Sequence, residues 1–284
     1  MADLPLLDRD SAFAYACNRC NSCCHNAHIA LDPYEIARLA QDQHLTITEF
    51  IASYLTEGGI VLRNSEDTSC VMLGPDGCTA YANRPQICRT YPVKRSRSEN
   101  GEILLRYRQL PTSTGVYGNQ GTTSDFFKAH NVEEFFAIKD RYLRLALQVV
   151  KVLANTVQRQ PHRFASIRNE IEAHYEFRTK MIPALIDVDR VVSKYCRERQ
   201  IELPITLDEK IALHMQAIEE RLAAISASEQ PDLLDDSGAD TDLMDMAALV
   251  GALGAAVEAR VVLAFVSEAL GRARRNAAPP YELS

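Results

Sequence analysis

Hydrophobic residues recur at helical spacing through most of the chain after residue 123, whereas the first third has short apolar runs separated by turn residues. Apolar side chains three or four positions apart predict amphipathic helices with one face packed against a core. This pattern predicts four helices in the second part of the chain, over about 131–160, 183–199, 206–226 and 242–274. The prediction is an α+β protein that is predominantly α: a small Cys-rich module with short strands, followed by a helical region.

Capping boxes predict where three of the helices begin. In a capping box, a helix-capping side chain and a Glu three residues later bond each other's backbone amides. Asp32–Glu35 has this pattern, with a proline at its second position, and Thr46–Glu49 repeats it. These two boxes predict short helices in the first part of the chain, and a third box at Thr206–Glu209 starts a helix in the second part.

Short strands are predicted around the cysteines. Apolar runs at Ile60–Leu62, Val71–Leu73 and Glu102–Leu110 have strand character. Gly74–Gly77, which contains a proline and an aspartate, favours a tight turn. Residues 112–123 are rich in Thr, Ser and Gly and are expected to form a loop.

These elements divide the chain into four parts. The Cys-rich module is expected over residues 1–115 and the helical region over 124–228. An acidic linker over 229–241 leads to a C-terminal helix over 242–284. Small residues recur every four positions on that last helix, which we expect to permit close packing in a homodimer.

The net charge, and the presence or absence of signal and membrane-spanning segments, limit the classes of protein to which the sequence can belong. The net charge is -7, and because general nucleic-acid binding needs a basic surface, no nucleic-acid partner is expected. The first residues lack a secretory signal, and Glu258 and Arg260 interrupt the last long apolar run, so no membrane span is expected. We therefore predict a cytoplasmic protein with reduced thiols.

Seven of the eight cysteines lie between residues 17 and 88, which makes this segment the candidate site. Cys17, Cys20, Cys23 and Cys24 form a C-x2-C-x2-C-C run, whose first three members have the spacing of bacterial ferredoxin ligands. Cysteines two residues apart can present both thiolates to one metal. In a reducing compartment, such a cluster indicates metal ligands or redox groups rather than disulfides.

Cys70, Cys78 and Cys88 form a second group of candidate ligands. The turn between Cys70 and Cys78 predicts a hairpin that brings their thiols together. Seven thiols exceed the four that one tetrahedral zinc or one cubane cluster needs. The sequence therefore allows two metal sites, or one site with additional redox or packing thiols.

Other side chains near these groups have less specific roles. Cys196 lies on an apolar helix face and is expected in the core. His25 and His28 either complete a mixed Cys/His site or remain outside it. Arg89, beside the last clustered cysteine, is the predicted cofactor-binding residue, because its charge would stabilise a negative thiolate-bound cluster. Lys94–Arg97 is expected to be a solvated loop, with a patch for an acidic partner as the alternative.

The cysteine runs, together with Asp32–Pro33, Asp76–Cys78, Tyr81 and Arg84–Pro92, resemble the CxxCxxCC, or YkgJ-type, cysteine-cluster family over about residues 13–110. The resemblance implies a zinc- or iron-chelating domain. It also implies a relation to flagellin lysine-N-methylases, which use an iron–sulfur cluster in methyl transfer to lysine. The chain departs from the family at Asn21, where glycine is usual, but asparagine adopts the left-handed backbone conformation more easily than most residues.

Two functions from different classes remain open. The first is a protein with an iron–sulfur cluster, expected as [4Fe-4S], acting in redox chemistry or in methyl transfer to a lysine of a protein substrate. The second is a non-enzymatic, zinc-binding structural or interaction module. The surplus of thiols and the adjacent pair Cys23–Cys24 favour iron over a single zinc site with four ligands. Nucleotide-binding glycine motifs and the common hydrolase motifs are missing, and no catalytic residue is identified.

Overall fold

The computed structural model describes residues 5–56, 60–98, 101–159 and 186–227. The chain divides into two compact units, Met1–Thr56 with Ile60–Arg141, and Glu57–Gly59 with Tyr142–Ser284. The α+β class is confirmed, since helices predominate and the strands form small sheets. The acidic linker over 229–241 and the C-terminal helix over 242–284, with its small-residue stripe, lie outside the described residues.

Both predicted N-terminal capping boxes are present in the first unit. Asp32 caps α1 (Pro33–Asp42) and Thr46 caps α2 (Ile47–Tyr54), each with reciprocal bonds to the glutamate three residues later. The side chains that α1 and α2 bury include Ile36, Leu39, Phe50 and Ile51. Three further helices begin in this unit: α3 (Gln86–Thr90), α4 (Thr123–Ala129) and α5 (Glu133–Arg159).

Seven short strands form three antiparallel sheets in the described residues. In the largest, β6 (Gly101–Arg106) lies between β1 (Leu6–Leu7) and β5 (Val93–Ser98). A second sheet pairs β2 (Ala12–Ala16) with β7 (Val116–Thr122), and the third is the hairpin of β3 (Leu73–Gly74) and β4 (Gly77–Cys78). The turn predicted at Gly74–Gly77 therefore joins two strands, as expected.

The loop prediction over residues 112–123 is wrong in its second half. Residues 116–122 form β7, in which Tyr117 pairs with Tyr15 of β2. Thr, Ser and Gly are weak local signals for a strand, and here the strand forms because a segment about a hundred residues earlier supplies the hydrogen-bonding partner. Such long-range pairing cannot be deduced from local composition.

The hydrophobic core of the first unit joins β strands to α4 and α5. Phe13 packs edge-on against Phe126 at 5.0 Å between ring centroids, and Phe127 packs similarly against Phe136 at 5.1 Å. The same buried cluster includes Val93, Leu104 and Val132. Because Val93 begins β5 soon after α3 ends, this core fixes the position of the segment that carries Cys88.

Lys94–Arg97 is part of strand β5, so its prediction as a solvated loop is wrong. The Arg95 guanidinium is buried and binds Glu102 at 2.5 Å and both carboxylate oxygens of Asp140 at 2.8 Å. It also lies over the Phe136 ring at 4.3 Å from the centroid. Arg97 reaches Asp140 as well. The acidic groups that bind this basic run are therefore Glu102 and Asp140 of the same unit.

The second unit is described through the end of α5, α6 (Val188–Arg199) and α7 (Leu207–Ala227). The capping box predicted at Thr206 is present, and α6 packs against α7. Cys196 is 2% exposed, which confirms its predicted place in the core. Charged residues interrupt all the helices described, and none offers an apolar stretch sufficient to cross a bilayer.

The Arg95 ion pairs predict a specific pH dependence of stability. Arg95 and Arg9 lower the pKa of Glu102, and Arg95 and Arg97 lower the pKa of Asp140, in both cases against an opposing effect of burial. A lowered folded-state pKa stabilises the fold above the unfolded-state pKa, and this stability is lost as the pH falls below about 4. Arg95→Met should therefore lower the free energy of unfolding by about 3 kcal/mol at pH 7, and by much less at pH 3.

Urea unfolding followed by circular dichroism at both pH values measures this difference. Arg97→Met is the matched control, because the Arg97 side chain is 44% exposed and should contribute little at either pH. An equal loss for Arg95→Met at pH 7 and pH 3 would show that packing, and not charge, accounts for its contribution.

Candidate metal centre

Six of the seven clustered cysteines line one cavity of about 260 Å³ in the first unit. The six come from both sequence groups: Cys17, Cys23, Cys24, Cys70, Cys78 and Cys88. All eight cysteines of the chain are free thiols. The fold thus brings together, around a single space, residues that are up to 71 positions apart in the sequence.

The first group is presented by a tight loop. Asn21 has φ 62°, the left-handed conformation expected at this position, and caps a 3₁₀ turn over Ser22–Cys24. The Cys24 amide donates to the Asn21 carbonyl at 2.8 Å. The Cys24 carbonyl in turn accepts from the Cys70 amide at 2.7 Å, so the two cysteine groups are joined directly through the backbone.

The β3–β4 hairpin returns Cys78 toward the segment that begins at Cys70, and both cysteines line the same cavity. Cys78 pairs with Leu73 across the hairpin, and the Thr79 amide donates to the Met72 carbonyl at 2.8 Å. The Leu73 amide donates to the Cys70 carbonyl at 2.8 Å, so the chain turns directly after Cys70. Both thiols consequently face the same cavity.

Cys88 is held by a clamp between two helices. Glu35 is buried in the first turn of α1, and its Oε1 accepts from the Gln86 amide at 2.7 Å. The other oxygen accepts from the Asp32 amide at 3.1 Å. One carboxylate therefore caps α1 and also anchors the start of α3, two residues before Cys88.

Arg89 lies in the cavity lining, but its donors are used by the backbone. Its guanidinium donates to the carbonyls of Arg84 at 2.8 Å, Ala82 at 2.5 Å and His130 at 3.3 Å. Burial, followed by the charges of Arg84 and Arg38, lowers its pKa. These bonds hold the segment before α3 against the end of α4, so Arg89 supports the site through the backbone.

Besides Arg89, the cavity lining includes Arg84 and Arg19. Most N–H donors of these two side chains have no hydrogen-bond partner among the described residues. Each stacks on the Tyr81 ring, with its guanidinium carbon 4.1 Å from the centroid. The charge of Arg84 opposes the effect of burial on the pKa of Cys78. Among the cavity arginines, Arg84 therefore has a direct electrostatic effect on a cavity thiol.

Burial and mutual repulsion hold most of the cavity thiols in the protonated form. Burial raises the pKa of Cys70, Cys78 and Cys88, and neighbouring cysteines raise them further. The interaction between the adjacent thiols of Cys23 and Cys24 raises the pKa of Cys24 and lowers that of Cys23 to about 7. Several thiolates can therefore coexist in this space only with a compensating cation.

Cys20 differs from the other six, because it is not part of the cavity lining. Its sulfur lies 4.0 Å from the Ser113 hydroxyl, on the side of the loop over residues 110–115. Hydrogen bonds from Ser22 and Thr114 lower its pKa to about 6. Of the two histidines, His28 lines the cavity, whereas His25 pairs through its backbone with Ser69.

The donor set fits a thiophilic metal, although the thiols are spread around the cavity wall. In the described part of the chain, no three His, Cys, Asp or Glu side chains are already arranged to hold a metal ion. Soft thiolates select zinc, copper(I) or iron–sulfur clusters. Binding would therefore require the loop over Cys17–Cys24 to close on the metal, as is common where metal binding and folding are coupled.

Sequence reasoning missed three residues of this site. Glu35 had a visible role only as a capping residue, and its contact with Gln86 spans 51 positions. Tyr81 and Tyr91 belong to the residues that carry the family resemblance, but no role in the site was assigned to either from the sequence. Their positions in that motif, close to Cys78 and Cys88, were the signal that could have indicated them.

The Glu35 clamp predicts different effects for two substitutions. Glu35→Ala leaves the buried Gln86 amide without an acceptor, so the free energy of unfolding should fall by about 1–3 kcal/mol. Glu35→Gln keeps a carbonyl oxygen at this position and should lose less than half as much. Urea unfolding of both variants measures the difference, and equal losses would refute an acceptor role for this side chain.

Residues 16–108 match the family model CxxCxxCC, described as a "putative zinc- or iron-chelating domain". The matched segment contains all seven clustered cysteines, and it lies within the first unit apart from three residues. No curated protein and no solved structure matches the chain. The cysteine-rich third of the chain therefore matches the CxxCxxCC domain family, whose description is zinc or iron chelation.

Proposed function

We propose that the cavity cysteines bind an iron–sulfur cluster of the [4Fe-4S] type and that the protein acts in redox chemistry. The observation that supports this proposal is the convergence of Cys17, Cys23, Cys24, Cys70, Cys78 and Cys88 on one cavity. A [4Fe-4S] cluster takes four cysteine thiolates, so the cavity supplies enough ligands with two to spare.

The form of the site favours a cluster over a single structural zinc. A structural zinc site is closed, with four ligands packed around one small ion. Here six thiols surround a cavity of about 260 Å³ whose lining also includes Arg19, Arg84 and several tyrosines. Positive charge beside the thiols would stabilise the negative charge of a thiolate-bound cluster and influence its reduction potential.

The clustering of seven cysteines at metal-ligand spacing favours a reducing compartment. Thiols that serve as metal ligands stay available where disulfides do not form. We therefore propose that the protein works in the cytoplasm. There, the bound cluster would supply one-electron chemistry, while the chain itself would supply the ligands and the surrounding charge.

Methyl transfer to a protein lysine is the second candidate function. The observation that favours it is the aromatic lining of the same cavity by Tyr15, Tyr91 and Tyr107. Aromatic faces attract ammonium groups, including methylated lysine. Binding of a lysine-containing peptide to the metal-loaded protein, measured by calorimetry, tests this function, and failure of trimethyllysine to compete would count against it.

The cavity ligand set predicts which cysteines matter for metal content. Cys88→Ser should lose most of the bound metal, because a central donor is removed from a site whose formation is coupled to folding. Cys196→Ser, in the second unit, should keep the metal and lose only packing energy. Elemental analysis of protein purified without oxygen measures both.

Cys20→Ser gives the sharper comparison within the same motif. Since Cys20 lies outside the cavity lining, this variant should retain most of the metal, whereas Cys23→Ser should not. Equal metal loss in Cys20→Ser and Cys23→Ser would contradict the six-cysteine set. Full metal retention in a variant with Cys23, Cys78 and Cys88 all changed to serine, which leaves only three cavity thiols, would contradict the proposed site altogether.

A further inference from the structure

The hydroxyl group of Tyr91 is buried and has no hydrogen-bond partner among the described residues. Native proteins rarely leave a buried hydroxyl unpaired, because the lost hydration costs about 1–3 kcal/mol. An unpaired donor that persists in a folded protein therefore points to a partner that binds later. Its surroundings identify the chemistry of that partner.

Tyr91 lines the cysteine cavity and is held there from both sides along the chain. Its amide donates to the Ile87 carbonyl at 3.2 Å, which ties it to the end of α3, the helix of Cys88. Two residues later, Val93 is buried in the core of the first unit. The backbone on both sides of Tyr91 is thus fixed, by α3 before it and by the core after it.

The neighbouring tyrosines leave the Tyr91 hydroxyl without an acceptor. The Tyr15 ring meets the Tyr91 ring edge-on at 5.8 Å, and the Tyr117 ring meets Tyr15 at 5.1 Å. The Tyr117 hydroxyl donates to the Tyr107 carbonyl at 3.4 Å, and it does not accept a hydrogen bond from Tyr91. Burial, nearby tyrosines and then Cys23 raise the pKa of Tyr91, which keeps its hydroxyl protonated and able to donate.

We propose that Tyr91 donates a hydrogen bond to a metal-bound thiolate sulfur in the cavity, and so acts as a positioning residue for the metal centre. This inference rests on the proposed function, since it requires a metal to hold the thiolate in the cavity. Thiolate sulfur is an acceptor, and Tyr91 is a buried donor that lines the same space. Hydrogen bonds to ligand atoms fix their orientation and tune the affinity and potential of the metal.

The test is a comparison of Tyr91→Phe in the metal-free and metal-loaded full-length chain. Without metal, the substitution removes an unpaired donor and should leave the midpoint of urea unfolding unchanged or higher. With Zn²⁺ bound, it should lower the midpoint, and the Zn²⁺ affinity measured against a competing chelator should weaken about tenfold. The sign of the stability effect should therefore reverse on metal binding.

Tyr117→Phe is the matched control, because its hydroxyl has a backbone partner that does not depend on the metal. It should shift the midpoint equally with and without Zn²⁺ and leave the Zn²⁺ affinity within about twofold. A general effect of removing a tyrosine hydroxyl would appear in both variants.

Each outcome of this comparison either supports the inference or refutes it. If Tyr91→Phe has the wild-type Zn²⁺ affinity, or destabilises both forms equally, the hydroxyl has another partner and the inference fails while metal binding stands. If the wild-type chain binds neither Zn²⁺ nor iron, the proposed function and the inference fail together. A tenfold loss of Zn²⁺ affinity in Tyr91→Phe, absent from Tyr117→Phe, would support the inference and the binding of metal in this cavity.

Discussion

The crowding of thiols around one cavity is the constraint on which the first unit depends. Cys70, Cys78 and Cys88 each have a raised pKa because burial and neighbouring sulfurs both oppose ionisation. A protein that required only packing would not need polarisable, ionisable side chains at so many positions around one space. A cation that accepts the thiolates removes the repulsion, so the same arrangement that is unfavourable for free thiolates becomes favourable for a bound metal.

The remainder of the first unit fixes the backbone that carries these thiols. The bond from the Cys70 amide to the Cys24 carbonyl joins the two cysteine groups, and the Glu35 carboxylate joins α1 to the start of α3. Behind α3, the buried Arg95 ion pairs connect β5 to β6 and α5. Side-chain charge and backbone hydrogen bonds therefore position the thiols, while the aromatic core supplies the support behind them.

The features predicted correctly from the sequence are local ones. The capping boxes at Asp32 and Thr46, the left-handed Asn21 and the hairpin turn before Cys78 each depend on a few consecutive residues, whose chemistry determines the backbone. The burial of Cys196 followed from helical periodicity, which also depends only on nearby positions.

The features that the sequence did not reveal depend on distant partners. Strand β7 exists because β2 pairs with it, and Arg95 is buried because Asp140 lies opposite. The separation of Cys20 from the other six cysteines has the same origin. Two residues separate Cys20 from Cys17 and two separate it from Cys23, so nothing in the motif distinguishes it. Its sulfur nevertheless lies beside Ser113, and no local pattern indicates that contact.

The most direct test of the account is the metal and acid-labile sulfide content of the full-length chain purified without oxygen. The account predicts about four iron atoms and about four sulfides per chain, with the broad visible absorption of a [4Fe-4S] cluster. Zinc without sulfide would contradict the cluster and move the protein to the class of zinc-binding structural modules. A chain that holds no metal under these conditions, and takes up none when iron or zinc is supplied, would contradict the account as a whole.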